Sequence, residues 1–435
     1  MSDSVREIHP ITSLDMTLSM PPDKSITHRA YMIASIAQGK SLIENPSLGM
    51  DCTSTRACLA ALGVHIEDTE TGVVITGRGG QCFVQPDSVL DAGNSGSTIR
   101  MLSGILAGQP IEVKIDGDAS LRKRPMKRIA DPLRLMGADV IAHTDPKGSM
   151  VCPLIVRGRE RLKAITWELP VASAQVKTAV LFAGLHAEGR TAVREPYRSR
   201  DHTERMLEIF SCPLERTADG TIAVNGPAEL AGTTVRVPGD FSSASFFIAL
   251  ACMIPNAEIT VQDVGINQSR TGLLNVLRRM GAKIRISNRR IYSNEPVGDI
   301  TVISSSLTGT VVEADEVPCM IDEVPVLAVV AATANGKTVI RGAGELMHKE
   351  SNRLTAIAEN LRSMNARITC TNDGLVIDGS DHLTGAEVDS FHDHRIAMAM
   401  AIAGSAAAGI TRINNPSCVE ISFPDFWEML PMNTS

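Results

Sequence analysis

A basic segment, Asp23-Lys24-Ser25-Ile26-Thr27-His28-Arg29, follows two consecutive prolines near the start of the chain. The prolines disfavour helix before it, Asp23 is a favourable N-cap residue, and an apolar run stands behind it. Lys24, Ser25 and Arg29 are therefore expected in the first turns of a helix, where backbone N–H groups point outward. The segment is a candidate phosphate or carboxylate site, although a helix start with solvated charges has the same pattern.

More residues suited to acid–base and anion chemistry stand at other predicted helix starts. Asp322 supplies a carboxylate, Lys349 and Glu350 precede Arg353, and Arg395 opens a further helix. Carboxylates can move protons, and guanidinium forks bind carboxylates and phosphates.

A basic run, 121–128, places five cations in eight residues. Arg124 precedes Pro125 and is expected to be extended, which makes it the best candidate ligand of the run. Arg122 and Lys127 fit a solvated face better.

Six copies of one pattern position these residues. Each copy is an apolar helix, a turn and a β-rich strand, at 30–45, 99–116, 177–196, 244–264, 324–343 and 395–415. A second helix follows most copies, so each repeat reads as βαβαββ over about 70–80 residues. The apolar helices are predicted to be buried, and their N-termini, including Lys177 in the third copy, to converge into faces that attract polyanions.

The repeats divide into two domains of three. Strand-like segments lead into Pro-x-Asp turns before residues 22 and 238, and both are predicted to cross between domains. The expected domains are 22–236 and 1–21 plus 237–435, with the active site in the cleft between them.

Composition excludes several classes of function. The chain has 435 residues, a net charge of −7 and 3% aromatic residues, which argues against nucleic-acid binding. No apolar run of membrane-spanning length and no signal peptide is recognised, and nine scattered cysteines indicate no disulfide framework. A cytoplasmic monomer without cofactor is expected. His392 and His394 have no obvious third ligand, so no metal is expected.

The motifs together resemble the 5-enolpyruvylshikimate-3-phosphate (EPSP) synthase family over essentially the whole chain. The matching phrases are DKSITHR, DAGNSGSTIR, DASLRKRPM, VASAQVK, SRDHTE, PGDFSSASFF, RTGLL, MIDEVP, KESNRL, DHRIAMA and SFPDF. The resemblance implies a two-domain inside-out α/β barrel with threefold pseudosymmetry in each domain. It also implies transfer of the enolpyruvyl group of phosphoenolpyruvate to the 5-hydroxyl of shikimate 3-phosphate through a tetrahedral intermediate, and glyphosate as an inhibitor.

The resemblance implies roles for individual residues. Those expected at phosphoenolpyruvate are Lys24, Asn94, Gly96, Arg124, Gln175, Arg353 and Arg395. Those expected at shikimate 3-phosphate are Lys24, Ser25, Arg29, Ser173, Ala174, Gln175, Arg200, Asp322 and Lys349. Asp322 is expected to take the 5-hydroxyl proton, Glu350 to serve the methylene carbon, and Lys24 to assist.

Four positions bear on how closely the family pattern applies. Pro22 stands where glycine is usual, Asn352 where aspartate is usual, and Ile421 where some members carry a phosphoenolpyruvate-binding lysine. Gly96 is kept where alanine in some relatives is associated with weak glyphosate binding.

Two other functions remain as alternatives. One is the sister transferase that acts on UDP-N-acetylglucosamine. That enzyme carries a cysteine in its catalytic loop, whereas this chain has no cysteine between residues 82 and 152. The other is a non-catalytic anion-binding protein on the same fold, which would be expected to lose the residues that this chain keeps.

Overall fold

The computed structural model describes residues 5–380 and 382–431. Within them, twelve α-helices form where apolar runs follow capping residues. The helices are α1 Lys24–Ile36, α2 Met50–Ala61, α3 Gly96–Ala107, α4 Lys127–Leu135, α5 Ala174–Gly184, α6 His202–Ile209, α7 Phe241–Met253, α8 Gly272–Arg279, α9 Val324–Thr333, α10 Arg353–Ser363, α11 His394–Ser405 and α12 Phe426–Met429.

The same part of the chain contains twenty-four strands, most of them short. The strands of the first half are β1 Val5–Ile8, β2 Leu14–Ser19, β3 Gln38–Glu44, β4 His65–Asp68, β5 Gly72–Arg78, β6 Leu90–Asp91, β7 Glu112–Asp116, β8 Asp139–Thr144, β9 Met150–Arg157, β10 Leu162–Lys163, β11 Thr166–Glu168, β12 Ala187–Arg194, β13 Glu215–Arg216, β14 Thr221–Gly226 and β15 Thr234–Arg236. Those of the second half are β16 Ala257–Gly265, β17 Lys283–Tyr292, β18 Glu295–Ile303, β19 Val311–Val312, β20 Gly336–Ile340, β21 Arg367–Cys370, β22 Leu375–Gly379, β23 Glu387–Asp389 and β24 Thr411–Asn414.

The chain separates into two compact units. The N-terminal unit comprises Pro22–Val237 and Ile291–Glu295, and the C-terminal unit comprises the remaining described residues. Each unit has its own cluster of buried apolar side chains. The excursion of Ile291–Glu295 into the N-terminal unit is not anticipated by the sequence-based division.

The N-terminal unit contains three sheets in its described residues. Their strand orders are β15-β3-β5-β4, β6-β7-β9-β8 and β10-β12-β14-β13, with β11 also beside β12. In each sheet a strand that follows an apolar helix pairs antiparallel with the next long strand, as β3 does with β5. One short strand from the neighbouring repeat joins in parallel, as Thr234 does opposite Leu42.

The C-terminal unit repeats this plan with sheets β17-β18-β16-β2, β19-β20-β22-β21 and β1-β24-β23. The first strands of the chain complete two of them: β2 pairs parallel with β16, and β1 pairs antiparallel with β24. The sheet β1-β24-β23 therefore combines strands that are far apart in the sequence.

One helix of each repeat is almost entirely buried: α1, α3, α5, α7, α9 and α11. Side-chain caps fix the starts of five of them, from Asp23, Ser95, Ser173, Asp240 and Asp393. These caps satisfy some of the first N–H groups, and the positive end of a helix favours an anion.

Candidate active site

The three buried helices of the N-terminal unit begin beside one another. Arg100 of α3 donates from Nη1 to Oε1 of Gln175 on α5 over 2.7 Å. Arg29 of α1 donates from Nη2 to the hydroxyl of Thr178 on α5 over 3.1 Å. These contacts bring three helix N-termini together, as the repeat pattern predicts for this unit.

Lys24 is partly exposed and forms an ion pair with Asp51. Its Nζ lies 2.7 Å from Asp51 Oδ2, and the lysine side chain is 18% exposed. Asp51 lies in the first turn of α2, and sequence analysis did not single it out. A carboxylate beside Lys24 stabilises the ammonium charge.

Arg124, Asn94 and Gly96 lie together. Arg124 is extended, with φ −83° and ψ 138°, which confirms the conformation expected before proline. Its Nη2 donates to Asn94 Oδ1 over 2.8 Å, and the side chain is buried. A Cβ added at Gly96 would stand 3.0 Å from Nη1 of both Arg124 and Arg100. The missing side chain at Gly96 therefore leaves room for two guanidinium groups at one helix start.

Arg29 is buried and held on several sides. Its Nε donates to the hydroxyl of Thr203 over 2.7 Å, and its Nη1 donates to the carbonyl of Ser25 over 2.9 Å. Ser173 caps α5 by accepting from the N–H of Val176, so Ala174 opens that helix. The segment before α6 carries the half-buried Arg200.

Lys177 has a structural role that differs from the sequence expectation. Its Nζ lies 2.8 Å from Glu195 and 2.7 Å from Glu204, and its side chain is only 1% exposed. Burial opposes the charge, but the two carboxylates outweigh it and raise the pKa of Lys177. A local pattern places Lys177 at a helix start but does not reveal these inward-facing partners.

In the C-terminal unit, Asp322 is surrounded by three cations. Its carboxylate Oδ1 lies 3.3 Å from Lys349 Nζ and 3.3 Å from Arg353 Nη1, and its Oδ2 lies 3.7 Å from Arg395 Nη2. The Asp322 side chain is 13% exposed. The three cations come from two segments of the chain, 349–353 and the start of α11, which converge on this one carboxylate.

Arg353 is buried and connects Asp322 to two further carboxylates. It donates from Nε to Asp393 Oδ2 over 2.7 Å and from Nη2 to Glu350 Oε2 over 2.5 Å. Burial opposes its charge, but Asp393, Glu350 and Asp322 together raise the pKa of Arg353. Burial likewise works against ionisation of Asp393, yet the guanidinium holds its pKa below the usual value.

A second buried network lies behind Asp322. The hydroxyl of Ser242 donates to Glu323, and Arg270 Nη2 donates to Ser242 Oγ over 3.0 Å and to Asp240 Oδ1 over 2.9 Å. Arg395 Nη1 lies 4.0 Å from Glu323. This network joins the starts of α7, α9 and α11, and only long-range contacts reveal it.

Two of the unusual positions have clear local roles. Asn352 caps α10, because its side chain accepts from the N–H of Thr355 over 3.4 Å. Ile421 is partly buried against the apolar cluster of the C-terminal unit. Ile421 therefore contributes apolar packing at a position where some family members carry a lysine, which would supply a cation.

The basic run divides as expected. Arg122 pairs with Asp116 and is 57% exposed, and Lys127 pairs with Asp131 and is 68% exposed, whereas Arg124 is buried.

Across residues 5–380 and 382–431, no group of three or more metal-ligating side chains is arranged to hold an ion. None of the described helices is long and apolar enough to cross a membrane.

Each unit therefore carries its own group of candidate residues. The first, in the N-terminal unit, comprises Lys24, Ser25, Arg29, Asn94, Gly96, Arg124, Ser173, Ala174, Gln175 and Arg200. The second, in the C-terminal unit, comprises Asp322, Lys349, Glu350, Arg353 and Arg395. The first group provides four cations, and the second provides three cations together with two carboxylates suited to proton transfer.

Solved structures share this fold. A structure titled EPSP synthase from Acinetobacter baumannii superposes with a TM-score of 0.85 at 41% identity, covering 98% of this chain and 97% of that one. The enolpyruvyl transferase NikO from Streptomyces tendae superposes with a TM-score of 0.76 at 19% identity, covering 98% of this chain and 96% of that one. At this identity the likeness shows the fold alone. The chain thus has the mixed α/β fold of the enolpyruvyl transferases.

Sequence comparisons narrow the class. The family pattern of EPSP synthase (3-phosphoshikimate 1-carboxyvinyltransferase) matches residues 8–430. The 3-phosphoshikimate 1-carboxyvinyltransferase of Desulforamulus reducens is 47% identical over 424 residues, 97% of this chain and 98% of its own length. The 3-phosphoshikimate 1-carboxyvinyltransferase of a Synechococcus strain is 49% identical over 428 residues, which cover 98% of this chain and 96% of the length of that protein. The chain belongs to the EPSP synthase family, whose enzymes transfer the enolpyruvyl group of phosphoenolpyruvate to shikimate 3-phosphate in the shikimate pathway.

Proposed function

We propose that this enolpyruvyl transferase carries out its reaction with the two groups of residues described above acting on the same pair of substrates. The observation that carries the proposal is the convergence of Lys349, Arg353 and Arg395 on Asp322. Three cations around one carboxylate both favour its ionised form and offer donors to anionic substrates.

Shikimate 3-phosphate is assigned to residues that can hold a phosphate and a ring carrying hydroxyl groups: Lys24, Ser25, Arg29, Ser173, Ala174, Gln175, Arg200, Asp322 and Lys349. The start of α5 supports this assignment, because its N–H groups and positive helix end favour a phosphate. Arg29 is already fixed by Thr203 and Thr178, so it loses little side-chain entropy on binding.

Phosphoenolpyruvate is assigned to Lys24, Asn94, Gly96, Arg124, Gln175, Arg353 and Arg395. A carboxylate and a phosphate on one small molecule require several cations, and guanidinium groups bind both in bidentate geometry. The hydrogen bond from Arg124 to Asn94 fixes one such fork in advance.

In the addition step, Asp322 takes the proton of the 5-hydroxyl of shikimate 3-phosphate. The hydroxyl oxygen bonds to C2 of phosphoenolpyruvate. The methylene carbon gains a proton, with Glu350 and Lys24 as the groups assigned to it. In the elimination step, that carbon loses a proton, the C–O bond to phosphate breaks, and the double bond re-forms. Atoms and charge balance with inorganic phosphate as the second product, and no metal or redox cofactor enters the steps.

The finer architecture belongs to the same proposal. Three sheets and three buried helices in each unit support an inside-out α/β barrel of three βαβαββ repeats per domain, with 22–236 as one domain and 1–21 plus 237–435 as the other. We further propose a monomer that works in the cytoplasm.

The test is phosphate release from phosphoenolpyruvate, with shikimate 3-phosphate and UDP-N-acetylglucosamine as parallel acceptors. Release with shikimate 3-phosphate alone, reduced about 10²–10⁴-fold in Asp322→Ala and Glu350→Gln, is expected. Glu313→Gln, which changes an exposed carboxylate paired with Arg341, is the matched control. Full activity in Asp322→Ala would refute its assignment as the base, and release with UDP-N-acetylglucosamine would refute the acceptor.

A further inference from the structure

The turn between β17 and β18, here called the hairpin tip, comprises Ile291–Glu295 and groups with the N-terminal unit. It packs against α6. Arg205 Nη1 donates to the carbonyl of Asn294 over 2.9 Å, and Asn294 Nδ2 donates back to the carbonyl of Arg205 over 3.2 Å and to Glu208 over 2.9 Å. This reciprocal bonding fixes the tip on the helix.

A buried pair lies at the end of the hairpin tip. Glu295 Oε1 lies 2.7 Å from His202 Nδ1, and the two residues are only 3% and 1% exposed. Burying a carboxylate is expensive, and well-packed apolar side chains often stabilise a protein as well as a buried polar pair does. What such a pair adds is a defined geometry, because hydrogen bonds are directional and apolar contacts are not.

The geometry at His202 matters because His202 is the first residue of α6. The next residue, Thr203, accepts the hydrogen bond from Arg29 Nε over 2.7 Å, and its hydroxyl also contacts that of Thr178. Arg200 stands two residues before His202. The first turn of α6 thus joins two of the cations assigned to shikimate 3-phosphate.

The other side of Arg200 is held in a similar way. Ser199 donates from its backbone N–H to Glu195 over 3.3 Å, and its hydroxyl donates to the same carboxylate. Glu195 is fixed in turn by Lys177. Two carboxylates therefore hold the segment that carries Arg200 and Thr203: Glu195 through Ser199, and Glu295, from a distant part of the sequence, through His202.

We propose that Glu295 is a positioning residue for the binding of shikimate 3-phosphate, acting through His202 on Arg200 and on the Thr203–Arg29 contact. The proposal rests on the assignment of Arg29 and Arg200 to this substrate. Glu295 orients these groups without touching the substrate, and phosphoenolpyruvate binding does not depend on it.

The test is steady-state kinetics of Glu295→Leu and Glu295→Gln with each substrate varied. In Glu295→Leu, KM for shikimate 3-phosphate is expected to rise about tenfold, with KM for phosphoenolpyruvate within about twofold, because small displacements of binding groups weaken binding strongly. Glu295→Gln keeps an oxygen acceptor and should fall between Glu295→Leu and the wild type. Glu258→Gln, an exposed strand position in the C-terminal unit, controls for loss of charge.

A core variant controls for general destabilisation. Ile377→Val shortens a fully buried side chain of the C-terminal unit, and its kinetics are compared with those of Glu295→Leu alongside thermal unfolding of both. A rise confined to the KM for shikimate 3-phosphate supports positioning. Equal changes in both KM values, which a loosened fold would give, overturn the positioning role. An unchanged KM for shikimate 3-phosphate in both Glu295 variants also overturns it. If Glu295→Leu does not fold, Glu295→Gln alone decides by the same criterion.

Arg200→Ala separates this proposal from the assignment beneath it. A raised KM for shikimate 3-phosphate in Arg200→Ala together with wild-type values in the Glu295 variants overturns the positioning role alone. An unchanged KM in Arg200→Ala overturns the assignment of Arg200 and the proposal with it. Combining Arg200→Ala with Glu295→Leu is expected to raise KM by less than the product of the single effects.

Discussion

Arg353 donates two hydrogen bonds to Asp393, from Nε over 2.7 Å and from Nη2 over 3.2 Å, and both side chains are fully buried. The same carboxylate caps α11 by accepting from the N–H of Arg395 over 2.9 Å and also accepts from Ser351 over 3.1 Å. One buried carboxylate thus orients two of the cations assigned to phosphoenolpyruvate.

Asp393→Asn should therefore lower both stability and affinity for phosphoenolpyruvate. Removing one partner of a buried pair costs about 3–5 kcal/mol when the other charge is left uncompensated, and less here because Glu350 and Asp322 still pair with Arg353. Urea unfolding measures the loss, and KM for phosphoenolpyruvate reports on Arg353 and Arg395. The control is Asp378→Asn, because Asp378 forms an exposed ion pair with Lys337. This substitution should lower the free energy of unfolding by at most about 1 kcal/mol. Similar losses in the two variants would contradict the role given to Asp393.

Gly96→Ala tests the space in front of Arg100 and Arg124. The new Cβ would stand 3.0 Å from both guanidinium groups, so they must shift by a few tenths of an ångström. We expect KM for phosphoenolpyruvate to rise several-fold and the glyphosate concentration for half inhibition to rise at least about tenfold, equivalent to about 1.4 kcal/mol. Gly265→Ala is the control, since an added Cβ there meets nothing closer than 3.6 Å. A wild-type enzyme that glyphosate leaves unaffected into the millimolar range would refute the expected sensitivity.

Acid should destabilise the protein through His28. Burial lowers the pKa of His28 from 6.5 to about 3, and its Nδ1 lies 2.7 Å from the hydroxyl of Thr55. Because the unfolded state takes up the proton first, stability falls as pH drops below about 6.5 toward 3, by up to about 1.4 kcal/mol per pH unit. Near pH 5, His28→Gln should show a shallower dependence of unfolding free energy on pH. The exposed His143→Gln is the control, and parallel curves for His28→Gln and wild type would disprove the explanation.

Asn352→Asp should stabilise the protein slightly. Asn352 already caps α10 through Thr355, and a negative charge at a helix N-terminus contributes about 0.3–1 kcal/mol. Thermal unfolding at low salt measures the gain, which should shrink in 1 M salt because the charge is exposed. Asn352→Ala, which removes the cap, should instead cost about 1 kcal/mol. A loss of stability in Asn352→Asp would show that its charge disturbs Arg353 more than it helps the helix.

Local sequence rules predicted the features that depend on neighbouring residues. Asp23 caps α1, and Arg124 is extended before its proline, because both follow from backbone restrictions within a few residues. The apolar composition of the first helix in each repeat likewise predicted its burial.

Features that depend on distant contacts could not be predicted in this way. Asp51 pairs with Lys24 across 27 positions, and Glu295 reaches His202 across 93. Lys177 shows how a local rule misleads, since its place at a helix start suggested a ligand while its actual partners are Glu195 and Glu204. Charged residues near a helix start are ambiguous until the fold shows which of them face inward.

The pairing of β1 with β24 has a consequence for protein synthesis. Ile8 lies opposite Thr411, so β1 is synthesised long before the strand with which it pairs. At about 5–20 residues per second, the intervening segment takes roughly 20–80 s to make. During that time Pro22–Val237 can emerge completely, while the partner strand of β1 has not yet been made. The growing chain must therefore keep β1 free of wrong pairings until β24 has been made.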